Sequence, residues 1–300
     1  MKLPLILLGC VFLSACELQE VVTTSSDDIV IAEVYLRADQ STQNALLHRT
    51  RQGENTASVP GARIEVTNAA GQVMPYFEVS DSVCVVERPP GAHVALGTCY
   101  RASAANGFRV QAGERYTLRI LLPDGGEMTG STTVPGDFQI VKPADRVCAL
   151  PPATTFEISW TSSESAWVYA SETYLGGLRD ALAQQGIIIE QDPLRLFGLS
   201  ITNSDTTIVF PSEFGLFDRF SDDLVEALVA IQNGLPAGVV GNVTVAAADR
   251  NYVNWERGGN FNPSGLIRIG NIRGDGHGVF GSLVSKSFQV RVGSSQHPPC

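Results

Sequence analysis

Basic residues are scarce in this chain. Lysine and arginine total 21 against 31 aspartates and glutamates, a formal net charge of −10, and all charged residues together make up only 17% of the sequence. Nucleic acid and anionic membrane faces both select basic surfaces, so neither is an expected partner. Signatures of catalysis are missing as well: there is no Gly-x-Ser-x-Gly elbow and no His-Glu-x-x-His pair. The four histidines, His48, His93, His277 and His297, are scattered without ligand spacing, and no two cysteines stand at the short spacing of a zinc knuckle. The expectation is a non-enzymatic protein with no catalytic residue, metal or cofactor. Beyond residue 15 no apolar run reaches the roughly 20 residues needed to cross a bilayer as a helix.

The informative segment is the first one. Lys2 is followed by the apolar runs of residues 4–8 and 11–13 and then by Leu13-Ser14-Ala15-Cys16. A charged start, a short apolar stretch and small residues before a cleavage point describe a secretory signal. Ending that site on cysteine resembles the lipobox of bacterial lipoproteins, in which the thiol is acylated and the signal is cut just before it. The resemblance implies a mature chain that begins at Cys16 and is held in the membrane by several acyl chains, at roughly 0.8 kcal/mol per buried methylene. Glu17 follows the cysteine; in the enteric rule an aspartate there retains a lipoprotein at the inner membrane, so glutamate points to the cell outer membrane. A permanent span is disfavoured by length, and an ordinary signal has no need of the cysteine.

Of six cysteines, Cys10 leaves with the signal and Cys16 carries lipid, so Cys84, Cys99, Cys148 and Cys300 remain. Four thiols in an oxidising compartment allow three connectivities, which sequence alone does not choose among. Locality favours Cys84 with Cys99 around the turn-rich Arg88-Pro89-Pro90-Gly91, which leaves Cys148 for Cys300.

Glycine (29) and proline (16) are frequent, and the rest of the chain reads as strands joined by turns. Residues 16–28 are polar and form a tether. Alternating segments at 29–36, 61–68, 73–79, 115–123 and 127–134 place apolar side chains on one face, as Ala62, Ile64 and Val66 do. They predict an N-terminal Ig-like or transthyretin-like β-sandwich over residues 29–136. Residues 137–152 read as a proline-rich linker, and 153–300 as a β-rich α+β domain. Its strands are expected at 156–160, 166–169, 199–202, 206–210, 242–247, 266–269 and 287–292. Two helices interrupt it. One starts after Ser221 with Asp222 and Asp223 at its positive end and a stripe of Leu224, Val225, Leu228 and Ile231; a weaker one covers residues 174–184.

At the C-terminus Ile269-Gly-Asn-Ile-Arg-Gly-Asp-Gly-His-Gly-Val-Phe-Gly281 resembles the closing signature of a family of uncharacterised, lipid-anchored envelope proteins of Bacteroidetes type, catalogued as a domain of unknown function. Pro60-Gly-Ala-Arg-Ile-Glu-Val, Ala112-Gly-Glu-Arg-Tyr-Thr-Leu and Thr132-Thr-Val-Pro135 fit the same family, although its cysteines and helical insert depart from the usual form. The resemblance implies an accessory lipoprotein beside a TonB-dependent outer-membrane receptor. Within that segment a dinucleotide fingerprint is spelled by Gly276, Gly278 and Gly281, but a strand rather than a helix follows it. Arg273-Gly274-Asp275 is expected as a turn, and Asp275 with His277 is too few ligands for a metal. For a carbohydrate or peptide ligand the candidate contacts are Tyr252, Asn254, Trp255, Phe261 and Asn262, aromatics beside amides, although packing in the core is the commoner fate of such rings. Two other functions compete with the accessory reading, a structural or adhesive surface lipoprotein and a hydrolase of envelope or extracellular polymer. If Cys16 carries the lipid, Cys16→Ser moves the otherwise folded protein out of the membrane fraction on cell fractionation; unchanged partitioning refutes lipidation.

Overall fold

The computed structural model describes residues 28–50, 58–80, 84, 97–103, 108–211, 222–260 and 269–300. The segment read as a signal, Cys16, the turn expected at 88–91, Ser221, Phe261 and Asn262 lie outside them. The fold is mainly β, as the alternating segments predict.

Seven strands build the N-terminal part: β1 (Val30–Arg37), β2 (Thr42–Arg49), β3 (Arg63–Asn68), β4 (Val73–Val79), β5 (Thr98–Ser103), β6 (Arg115–Leu121) and β7 (Glu127–Thr133). In β1, Val30, Ala32, Val34 and Leu36 are buried in alternation with half-exposed Ile31, Glu33, Tyr35 and Arg37. That two-residue period turns one face to the core and one away from it. Ile64 and Val66 of β3 and Tyr116, Leu118 and Ile120 of β6 follow the same rule. β4 changes partner midway, pairing with β3 through Tyr76 and with β5 from Phe77 onward, which folds the strands over one another as a sandwich. The phenol of Tyr100 pins the approach to β3, donating to the Val59 carbonyl at 2.6 Å and accepting from the Ala62 amide at 3.0 Å.

The stretch read as a linker carries β8 (Ile140–Lys142) and β9 (Val147–Leu150), and β9 is buried along most of its length. After it come β10 (Phe156–Trp160), β11 (Val168–Gly176), α1 (Leu178–Ala183), β12 (Leu194–Leu199), β13 (Thr207–Phe210), α2 (Asp222–Ile231), β14 (Val240–Ala248), α3 (Arg250–Asn260), β15 (Arg273–Gly274) and β16 (His277–Val292).

Several elements differ from expectation. Three helices are present among the described residues, because α3 escaped the two-helix reading. Residues 174–176 finish β11 instead of opening a helix: Leu175 is needed in the core, and Gly177, at φ +77°, turns the chain before α1 begins. The strand expected at 199–202 lies earlier, at Leu194–Leu199. Ser200 ends it by accepting the Tyr169 amide on its hydroxyl and donating to the Thr202 carbonyl, and Asp205 then accepts the Thr202 amide. Of the strand expected at 266–269 only Ile269 is described, and it is not in a strand. In α2 the buried stripe is Ala227 and Ile231 with half-buried Leu228, whereas Val225 is 52% exposed.

The strands join in one long sheet of order β12-β11-β14-β16-β1-β2-β5-β4-β3-β6-β7-β15, with β9 also on β16, and a small second sheet, β13-β10-β8. The ranges 29–136 and 153–300 therefore share a sheet. The shared strand is β16. Its first half lies parallel to β1, from Ile31 opposite His277 to Arg37 opposite Leu283, and its second half runs antiparallel to β14 and parallel to β9.

Both expected disulfides are present, Cys84–Cys99, favoured by locality, and Cys148–Cys300, which that pairing leaves. The second joins residues 152 apart in sequence, with Cα atoms 4.9 Å apart, and holds the chain end against β9 through the Ala149 and Cys300 amides. In the chain-entropy account a bridge closing a loop of that size restricts the unfolded chain by roughly 5 kcal/mol, against roughly 3 for the 15-residue separation of the other. Replacing Cys148 and Cys300 by alanine should lower unfolding stability by about 2–5 kcal/mol, more than the Cys84/Cys99 double variant, in denaturant titrations under non-reducing conditions.

Candidate functional site

Two segments singled out by sequence, the aromatic one around Tyr252 and the glycine-rich one of residues 269–281, meet where α3 crosses β16. The crossing starts at Asp249, the residue that ends β14 and caps α3. Its Oδ1 accepts the Tyr252 amide at 2.8 Å, the bond that satisfies an otherwise orphaned donor in the first turn of a helix. Its Oδ2 accepts the Thr132 hydroxyl of β7 at 2.5 Å, and Thr132 in turn lies 2.8 Å from the Ser282 hydroxyl of β16. The Asp249 amide donates to the Ser282 carbonyl at 3.1 Å, and the Ser282 hydroxyl donates to the Thr133 carbonyl at 3.2 Å. Asp249, Thr132 and Ser282 are all buried. Burial raises the Asp249 carboxyl above its ordinary value, and the bonds from Thr132, Tyr252 and Ser282 offset only part of that.

Alongside this cluster, asparagine amides bridge β7 and β16, between which no backbone ladder runs among the described residues. Asn271 Nδ2 donates to the Ser131 and Phe280 carbonyls at 2.9 and 3.0 Å, while its Oδ1 accepts the Phe280 amide at 2.8 Å. Asn251 of α3 donates to the same two carbonyls, each at 3.2 Å. One strand is thus attached to the other by side chains where a ladder would otherwise stand.

The glycine segment is shaped by close approach. Gly281 lies under the first turn of α3, and a Cβ there would stand 3.0 Å from the Tyr252 nitrogen. Arg273-Gly274-Asp275 is built into the fold: Arg273 Nη1 donates to the Gly270 and Ile272 carbonyls, and Asp275 Oδ2 accepts the Glu127 amide at 2.8 Å.

The aromatic candidates are packed against this frame. The Tyr252 ring meets Tyr35 edge-on at 5.5 Å, and its hydroxyl is held by burial above the usual phenol range, with Glu256 adding to the effect. Trp255 is 3% exposed and stands 5.9 Å from the His277 ring. Asn254 is half-buried on the same helix. The indole that does show a face to solvent is Trp167, 46% exposed, with the Arg250 guanidinium 5.1 Å from its centroid. Among the described residues no group of three or more His, Cys, Asp or Glu side chains converges as a metal site.

Sequence reading missed Asp249, Thr132, Ser282 and the bridging role of Asn271. A signal for Asp249 existed: an aspartate directly after the apolar run of β14 is a capping residue. Gly258 and Gly259 lower the helix propensity of the segment that follows. Nothing local marks Thr132 or Ser282.

Asp249→Asn keeps an oxygen for the cap and removes the titrating group. Because the folded chain holds the Asp249 proton to a higher pH than the unfolded chain, its contribution is fully present below the unfolded value and is lost as pH rises through the folded one. Asp249→Asn should flatten that fall, visible as a smaller drop in melting temperature between acidic and neutral buffers. Asp249→Ala, which removes the cap and the acceptor of the buried Thr132 hydroxyl, should cost about 2–4 kcal/mol at any pH in denaturant titrations.

Among solved structures the chain is similar to the fibronectin(III)-like modules of Clostridium thermocellum CbhA, with 11% identity, 89% of this chain and 94% of that one covered, and a TM-score of 0.19. It is also similar to a DUF4785 family protein of Legionella pneumophila, with 11% identity, 72% of this chain and 51% of that one covered, and a TM-score of 0.21. Scores this low establish no shared architecture. No curated protein matches the chain. A family model described as Domain of unknown function (DUF4249) matches residues 18–175, just over half of the sequence and ending short of the glycine-rich segment.

Proposed function

We propose that this chain, which belongs to the DUF4249 family of unknown function, is a lipid-anchored accessory or ligand-binding protein of the cell envelope, working beside a TonB-dependent outer-membrane receptor. The observation that carries the reading is the tetrapeptide Leu13-Ser14-Ala15-Cys16 at the end of a short apolar signal. Two disulfides in the body support it, since such bridges persist in oxidising compartments outside the cytosol. No helix among the described residues is long and apolar enough to cross a membrane, so lipid on Cys16 would be the attachment.

In this reading Cys16 inserts in the outer membrane, residues 17–28 are the tether, and the β-rich body presents a recognition surface at its far end. The protein carries out no reaction of its own. Its ligand is a carbohydrate or a peptide, and its source is an organism of Bacteroidetes type. Arg250 over the exposed Trp167, with half-buried Asn254 one turn further along α3, is a place for such a ligand to rest, whereas Tyr252 faces the other side of the helix.

Purification of the lipoprotein at native expression level in mild detergent tests the partnership. The expected result is co-purification of a membrane β-barrel receptor; recovery of the lipoprotein alone, with Cys16 acylated, counts against the accessory role while leaving the anchor intact.

A further inference from the structure

The N-terminal sandwich is left open by its own strands. β1 and β7 are its two edges: β1 has β2 on one side and β7 has β6, and neither finds a further partner within residues 30–134 among the described residues. Unpaired edges of this kind expose a row of backbone donors and acceptors. Residues 270–283 cover both. Arg273 and Gly274 pair with Thr129 and Met128 of β7, the Asp275 amide donates to the Glu127 carbonyl, and from His277 onward the same segment pairs with β1. Ile272 and Phe280, both fully buried, fill the core between the edges.

We propose that residues 270–283 are a donor strand and that the groove between β1 and β7 is an acceptor able to take the same segment from a second copy of the chain. In the resting structure the occupant comes from its own chain. Exchange requires the chain to open where the sandwich ends, before Gly136, because residues 136–142 are held to the C-terminal half by the Glu164 carbonyl and by β10; the sandwich β1–β7 then docks on a neighbour's donor and remakes there the bonds of Ser131 and Thr132, the arrangement of a domain-swapped dimer. The groove is selective through backbone contact. A Cβ at Gly278 would penetrate the Ala32 carbonyl and one at Gly274 the Glu127 carbonyl, and a Cβ at Gly276 would stand 2.7 Å from the Val30 carbonyl. An accepted strand must therefore read Gly-x-Gly-x-Gly-x-Phe in register with β1. This proposal is independent of lipidation and of any receptor.

The test uses the mature chain and a fluorescent peptide of residues 269–284. Gly278→Val unseats the resident strand, so the peptide should bind this variant saturably and at least about tenfold more tightly than it binds the intact chain, while a peptide carrying the same substitution should not bind. A variant that stays folded, with both disulfides formed, and ignores the peptide overturns the proposal. Should Gly278→Val not fold, the unmodified chain is refolded at high concentration: a dimer fraction that falls when free peptide is present supports exchange, and a chain that returns only as monomer without retaining peptide refutes it.

Discussion

Everything in this fold leans on the contact between bare backbones where Gly274 and Gly278 lie against Glu127 and Ala32. Strand pairing in a sheet normally leaves room for side chains above and below. Here the segment entering β16 is pressed between two strand edges, with positive φ at Gly274 (+118°) and Gly278 (+145°), conformations that favour glycine twice over. Because that approach is possible, β16 can begin inside the N-terminal sandwich and finish in the C-terminal sheet beside β14 and β9. The two halves of the chain thereby become one sheet, and the Cys148–Cys300 bridge ties off the same strand system at its far end.

Around that contact the polar groups are placed where ordinary ladders stop. Asn271 and Asn251 supply amide donors to the Ser131 and Phe280 carbonyls of β7 and β16, and Asp249 gathers a hydroxyl from β7 and an amide from α3 onto one buried carboxyl. Asp249 is buried and the two asparagines are half-buried, and each has hydrogen-bond partners, which is the condition for tolerating it there. The cluster also explains why α3 stays where it does: its cap, its first amide and the surface beneath Tyr252 all belong to other elements.

Much of the N-terminal half was legible because its strands are half-buried. Alternation in residues 61–68, 73–79, 115–123 and 127–134 translated directly into β3, β4, β6 and β7, and locality favoured one disulfide and left the other by elimination. Where burial is two-sided the signal faded. β16 runs for 16 residues, eight of them consecutively buried, and only its amphipathic end near 287–292 announced a strand. α3, with glycines at 258 and 259 and only a few aromatics as its apolar stripe, carries a weak helical pattern, and the same aromatics read as candidate ligand contacts. Tyr252 and Trp255 serve in the packing of α3 on β16, while exposed Trp167 was hidden in a segment that reads simply as strand.

The sequence by itself determined the acidic charge balance, the β class and the faces of most strands, because each depends on composition or on neighbours close in the chain. Tertiary structure decided that one strand serves both halves, that the closing glycines are contact points between backbones, and that Asp249, Thr132 and Ser282 form one cluster. Those facts depend on residues more than a hundred positions apart, and no local period records which distant backbone a glycine must touch.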